Sequence, residues 1–159
     1  MTQAFALTGD SITPVEGFYA YMPNRPQLHN VIFNSAEATD TVVAGQAVVI
    51  DSTADNSLCP VVKVADETDE PTGIVVYDCV KNAHGVGEKI AIAQTGSVIY
   101  LVAGSAITAG ALLQFDATTR KVDDTTTSGN AYIGKALTSA TADGDLIQVE
   151  LNLELGLAE

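Results

Sequence analysis

Val43-Ala-Gly-Gln-Ala-Val-Val-Ile-Asp-Ser-Thr53 lines up with Thr108-Ala-Gly-Ala-Leu-Leu-Gln-Phe-Asp-Ala-Thr118, glycine on glycine (Gly45, Gly110) and aspartate on aspartate (Asp51, Asp116). Outward from this pair, Thr72-Gly-Ile-Val-Val76 aligns with Ile133-Gly-Lys-Ala-Leu137, and Gly87-Glu-Lys-Ile-Ala-Ile92 aligns with Gly144-Asp-Leu-Ile-Gln-Val149. The order is the same in both copies. The separation falls from 65 to 61 to 57 residues, so the second copy keeps its apolar runs and shortens its loops. Each copy reads as strand, turn, strand, turn, strand, with glycines where the backbone must turn tightly or approach a neighbour. Turn geometry accounts for the closing aspartates without any catalytic role.

Around the repeat, the whole chain from Ala44 onward alternates short apolar runs with turn residues. Strands are expected at Ala47–Asp51, Val61–Ala65, Gly73–Asp78, Glu88–Ala93, Ser97–Ala103, Ala111–Asp116, Ala131–Leu137 and Asp145–Leu155. Val, Ile, Thr and 13 Gly favour strands and tight turns over helices. The expected fold is all-β, a small barrel or sandwich with an internal pseudo-repeat and few or no helices. At 159 residues, 47% of them hydrophobic, the chain can bury one real core.

Residues 1–34 hold five of the nine aromatics and three of the five prolines, a density that removes backbone donors. They are expected to form an extended arm or irregular segment, ahead of a barrel-like domain at 35–151, with their aromatics packed either back onto the same domain or onto a partner's surface. The remaining 152–159 are expected as a strand extension or tail, because Ile147, Val149, Leu151, Leu153, Leu155 and Leu157 alternate further than a small barrel needs. An overhanging strand with an open edge pairs readily with another chain. Candidate protein-interface residues are therefore Phe5, Phe18, Tyr19, Tyr21, Arg25 and Phe33 in the arm, and Leu153, Leu155 and Leu157 in the tail.

Little in the chain suggests chemistry. Twenty acids against seven bases give a net charge of −13, which repels both phosphate backbones and anionic membranes. No nucleic acid, membrane or small-molecule partner is expected. Gly129-Asn-Ala-Tyr-Ile-Gly-Lys-Ala136 has phosphate-loop spacing but lacks the hydroxyl after Lys135, and Gly134 is already explained by the repeat. His29 lies in the proline-rich segment, and His84, in a Gly-rich stretch, is expected as a surface turn residue. Cys59 and Cys79 suit neither a disulfide framework nor a metal, and are expected as small buried or half-buried thiols. The carboxylates at 66–70, 123–124 and 143–145 lack calcium-loop order. No catalytic, cofactor-binding or metal residue is assigned, and an enzyme is not expected. The first residues lack a secretory signal, so synthesis in the cytosol is expected.

Ala109-Gly-Ala-Leu-Leu-Gln-Phe-Asp-Ala-Thr118, Tyr132-Ile-Gly-Lys-Ala-Leu137 and Asp143-Gly-Asp-Leu-Ile-Gln-Val-Glu-Leu151 resemble the capsid decoration or cement proteins of tailed bacteriophages. The likeness covers about residues 40–151 and is best over 104–151. It implies a small β-barrel or β-tulip-like domain, and a homotrimer on the outer surface of the capsid that binds the major capsid protein and stabilises the shell by bridging subunits. It supplies no catalytic residues. The alternative reading is a trimeric carbohydrate- or receptor-binding module of a virion surface.

Overall fold

β-branched residues stand well on a pleated surface, and the apolar runs of the sequence become strands. The computed structural model describes residues 7–8, 11–12, 16–17, 19–21, 28–54 and 59–159, and no helix occurs among the described residues. In chain order the strands are β1 (Leu7–Thr8), β2 (Ser11–Ile12), β3 (Tyr19–Tyr21), β4 (Leu28–Phe33), β5 (Thr41–Val43), β6 (Ala47–Ile50), β7 (Val61–Val64) and β8 (Gly73–Val75). They continue as β9 (Ala83–Gly85), β10 (Lys89–Ala93), β11 (Val98–Val102), β12 (Leu112–Asp116), β13 (Lys121–Asp123), β14 (Tyr132–Ala136) and β15 (Leu146–Leu151). Strands β10-β4-β7-β6-β8 close into a barrel. A six-stranded sheet runs β13-β12-β14-β15-β11-β3, while β1-β2 and β5-β9 form separate pairs.

The repeat is a structural duplication. β6-β8-β10 in the barrel and β12-β14-β15 in the larger sheet are the aligned segments, adjacent in the same order. The Gly45 N–H donates to the Val75 carbonyl and the Gly110 N–H to that of Ala136, with φ of 83° and 95°, so both turns use the left-handed region that glycine enters without a Cβ penalty. Beyond the quoted segments, Asn34 donates to Val62 as Gly104 donates to Val122, and Gly87 donates to Phe33 as Gly144 donates to Ala103. The parallel β4–β7 contact that closes the barrel recurs as a parallel bridge between Ala103 and Val122. Pairing of β5 with β9, Val42 opposite His84, recurs as the bridge between Ile107 and Ala140.

The two halves share a core. Val31, Phe33, Val42, Val48, Val62, Val75, Ile90 and Ile92 fill the first barrel. Ala47, Ala65, Ile74 and Ala93, set on alternate positions of the same strands, point the other way and join the core of the second half, with Ile99, Leu101, Leu113, Ile133, Ile147, Val149 and Leu151. Three of those four linking residues are alanine, and small side chains let the outer wall of one half approach the other closely.

Two sequence expectations are corrected here. Residues 28–33 do not belong to an irregular arm: β4 pairs antiparallel with β10 and parallel with β7, because Leu28-His-Asn-Val-Ile-Phe33 is free of proline and ends in a β-favouring run of Val31, Ile32 and Phe33. The last strand ends at Leu151 and does not overhang. Gly156, at φ 74°, turns the chain, and the tail returns to 129–132, where Tyr132 donates to the Gly156 carbonyl and Ala158 to that of Asn130. Its alternation over 151–157 reflects a return against the same subunit, in which Ala158 is buried.

Candidate interaction surfaces

The candidate interface residues separate into three groups. Phe5, Phe18 and Arg25 lie outside the described residues. Tyr19 and Tyr21 lie on β3, at the edge of the six-stranded sheet, where they pair with Ile99 and Val98. Phe33 is fully buried inside the first barrel, so the reading of it as an exposed anchor is corrected: it is the β4 residue that faces the core. Leu153 is also buried, at 9% exposure, while Leu155 and Leu157 are 40% and 44% exposed. The tail thus presents two leucines, beside Glu154 and Glu159.

A second exposed apolar set lies on the outer face of the β12-β14-β15-β11 sheet. Leu112 opposes Lys135, and Leu137, two residues on, is its diagonal neighbour. Leu137 donates its N–H to Gln148, which puts Leu146 on the next diagonal, and Leu146 lies directly opposite Val102. Leu112, Leu137 and Leu146 are 46%, 42% and 36% exposed. The Gln148 side-chain amide donates to the Tyr100 hydroxyl at 3.1 Å on the same face. The signal for this face in the sequence is the doublet Leu112-Leu113, whose two side chains must point to opposite sides of a strand, together with Leu137 at the end of an Ile-Gly-x-Ala run.

Polar residues with short-range order serve the turns. Asp51 accepts hydrogen bonds from the Thr53 hydroxyl (2.6 Å), the Asn34 side chain (2.8 Å) and the Thr53 N–H (3.0 Å), which hold its carboxyl down at about 2. Its repeat partner Asp116 is lowered mainly by the Thr119 N–H, with Thr118 adding a second bond. Asp145 is lowered by the Thr141 N–H and hydroxyl. Glu16 is shifted the other way, upward, because burial outweighs the charge of Arg120 and a bond from the Val102 backbone.

His84 is buried, at 7% exposure, against the expectation of a surface turn residue. Pairing of β9 with β5 sets it opposite Val42, with Nε2 3.7 Å from Asp78 and Nδ1 3.6 Å from Glu88, itself bound to Lys81. Cys79 is exposed, unlike the half-buried thiol expected, and Cys59 donates to the Asn30 carbonyl at 3.1 Å. The phosphate-loop spacing belongs to a strand: Gly134 sits in β14, where a Cβ would land on the Glu150 carbonyl oxygen, and Lys135 points outward. Among the described residues no cluster of His, Cys, Asp and Glu could hold a metal ion.

Residues 35–151, spanning both halves, match the family described as phage cement protein. The chain belongs to the phage cement protein family. This phage cement protein is a capsid-associated structural component of a bacteriophage. Its fold is similar to the crystal structure of the head fiber gp8.5 N base of bacteriophage phi29, with a TM-score of 0.54 and 16% identity, over 83% of this chain and 97% of that one. No curated protein matches the cement protein.

Proposed function

We propose that this cement protein binds the outer surface of a phage head as a homotrimer and stabilises the shell by bridging neighbouring major capsid subunits. The observation that carries the reading is the family match over 35–151, which takes in both halves of the duplication. The likeness in fold to the base of a head fibre supports a place on the exterior of the head. A protein that binds the assembled lattice and not free subunits stabilises the lattice by mass action. Three copies of one docking surface combine modest contacts into avidity. The net charge of −13 favours solubility before docking.

The test uses heads that lack the protein. Purified chain is added, unbound protein is removed by sedimentation, and head rupture is followed against temperature. Stoichiometric binding with a raised rupture temperature is expected. Failure to bind, or binding with no delay in rupture, overturns the proposal.

A further inference from the structure

The duplication exposes on one half a face that it buries on the other. Leu112, Lys135, Leu137 and Glu150 in the second half correspond to Ala47, Ile74, Val76 and Ala93 in the first. In the first half Ala47, Ile74 and Ala93 are fully buried and Val76 packs beside them, all against the core of the second half. In the second half no described residue covers Leu112, Leu137 or Leu146 to a comparable degree, and they are 46%, 42% and 36% exposed. With Val102, these leucines form a diagonal apolar stripe across four strands, a width of about 15 Å across the sheet at the usual strand spacing.

We propose that this outer face of β12-β14-β15-β11 is where a second copy of the chain docks, with Leu112, Leu137 and Leu146 as the apolar centre of the homotypic contact. The proposal rests on the homotrimer reading above and names the face that makes it.

Two observations favour a second copy as the occupant. The cover that this fold already uses on the equivalent face is another β unit of the same sequence pattern, so the face is built to take a sheet of this kind. Charge supports the same choice. A chain with 20 acids and seven bases repels its own copies, so self-association needs a patch where charge cancels. Here Lys135 and Glu150, paired across β14 and β15, flank the leucines on the same outer face and neutralise one another. A rotation between copies that brings Lys135 of one toward Glu150 of the next gives complementarity along with apolar burial.

The test is the solution mass by light scattering for the full chain and for Leu137→Glu, Leu112→Glu and, as a control on an exposed loop, Val80→Glu. Wild type and Val80→Glu are expected at three times the 16.5 kDa chain mass. Leu137→Glu and Leu112→Glu are expected at the monomer mass under the same conditions, with an unchanged far-ultraviolet spectrum. A monomeric wild type overturns the assembly reading and this inference together. Trimeric Leu137→Glu and Leu112→Glu variants overturn only the face. Conversion to monomer by Leu155→Glu and not by Leu137→Glu moves the contact to the tail and also overturns it. A lowered melting temperature with unchanged mass assigns the face to another segment of the same chain, against the proposal. Monomeric wild type that binds heads, and loses binding on Leu137→Glu, gives the face to the capsid.

Discussion

Replacing Gly134 by alanine tests the duplication at its tightest point. The residue sits in β14 at φ 156°, and an added Cβ falls on the Glu150 carbonyl oxygen, 3.0 Å from the Glu150 carbonyl carbon and 3.1 Å from Leu151 Cα. Every obstacle is backbone of the adjacent strand, so β14 and β15 must move apart where Gly134 pairs with Leu151. Holding an alanine at that φ costs about 1–3 kcal/mol, and forcing a methyl into filled space about 1–3 kcal/mol more. Together the loss is about 2–6 kcal/mol by the same two principles, a large part of the roughly 5–15 kcal/mol that holds a domain folded.

The repeat supplies the control, since Gly73 is the equivalent residue. An alanine there meets Ile92 Cδ1 at 2.7 Å and Cβ at 2.9 Å and the Ala93 carbonyl oxygen at 3.0 Å, without a left-handed φ. The side chain of Ile92 can yield in part, and the expected cost is about 1–3 kcal/mol. Urea unfolding followed by far-ultraviolet circular dichroism measures both variants. At about 2–4 °C per kcal/mol for a chain of this size, the melting temperature is expected to fall by roughly 10 °C for Gly134→Ala and by roughly half that for Gly73→Ala. If Gly134→Ala lies within about 1 kcal/mol of wild type, or Gly73→Ala costs more, the close strand approach described here is wrong.

Other consequences are measurable in the same way. Phe33→Ala is expected to lose about 3–5 kcal/mol in urea unfolding, and the residual folded protein is expected to bind heads as wild type does; the opposite pattern would return Phe33 to an interface. Acid is expected to destabilise the fold. Asp51, held at about 2 in the folded state against an ordinary 3.8, contributes stability that is present above the ordinary value and is lost as pH falls toward 2. Asp116 and Asp145, lowered in the same direction, add to that slope, and melting temperatures between pH 5 and pH 2 read it; Asp51→Asn is expected to flatten the curve.

Much of the fold was legible before any coordinates. The alignment of Gly45 with Gly110, Gly73 with Gly134 and Gly87 with Gly144 identified the duplicated units, because tight turns and close strand approaches restrict residue type locally. Eight of the strands from Ala47 to Leu151 followed from the apolar runs between those glycines, whereas β9 and β13, short and without an apolar run, were not expected. Less was legible at the ends, where proline density concealed β4 and strict alternation concealed the turn at Gly156. Candidate interface residues suffered most. Phe33 was counted with the proline-rich arm and so stood among the candidate interface residues, although it lies on β4 and is buried.

The sequence by itself determined the strands, the turns and their repetition, since each depends on residues a few positions apart. Tertiary structure alone decided that the first half turns Ala47, Ile74 and Ala93 into the shared core while the second half leaves Leu112 and Leu137 bare. Period-two alternation says which residues share a face of a strand, but which face meets another sheet is fixed by how the two halves dock, and that depends on contacts between residues far apart in the chain.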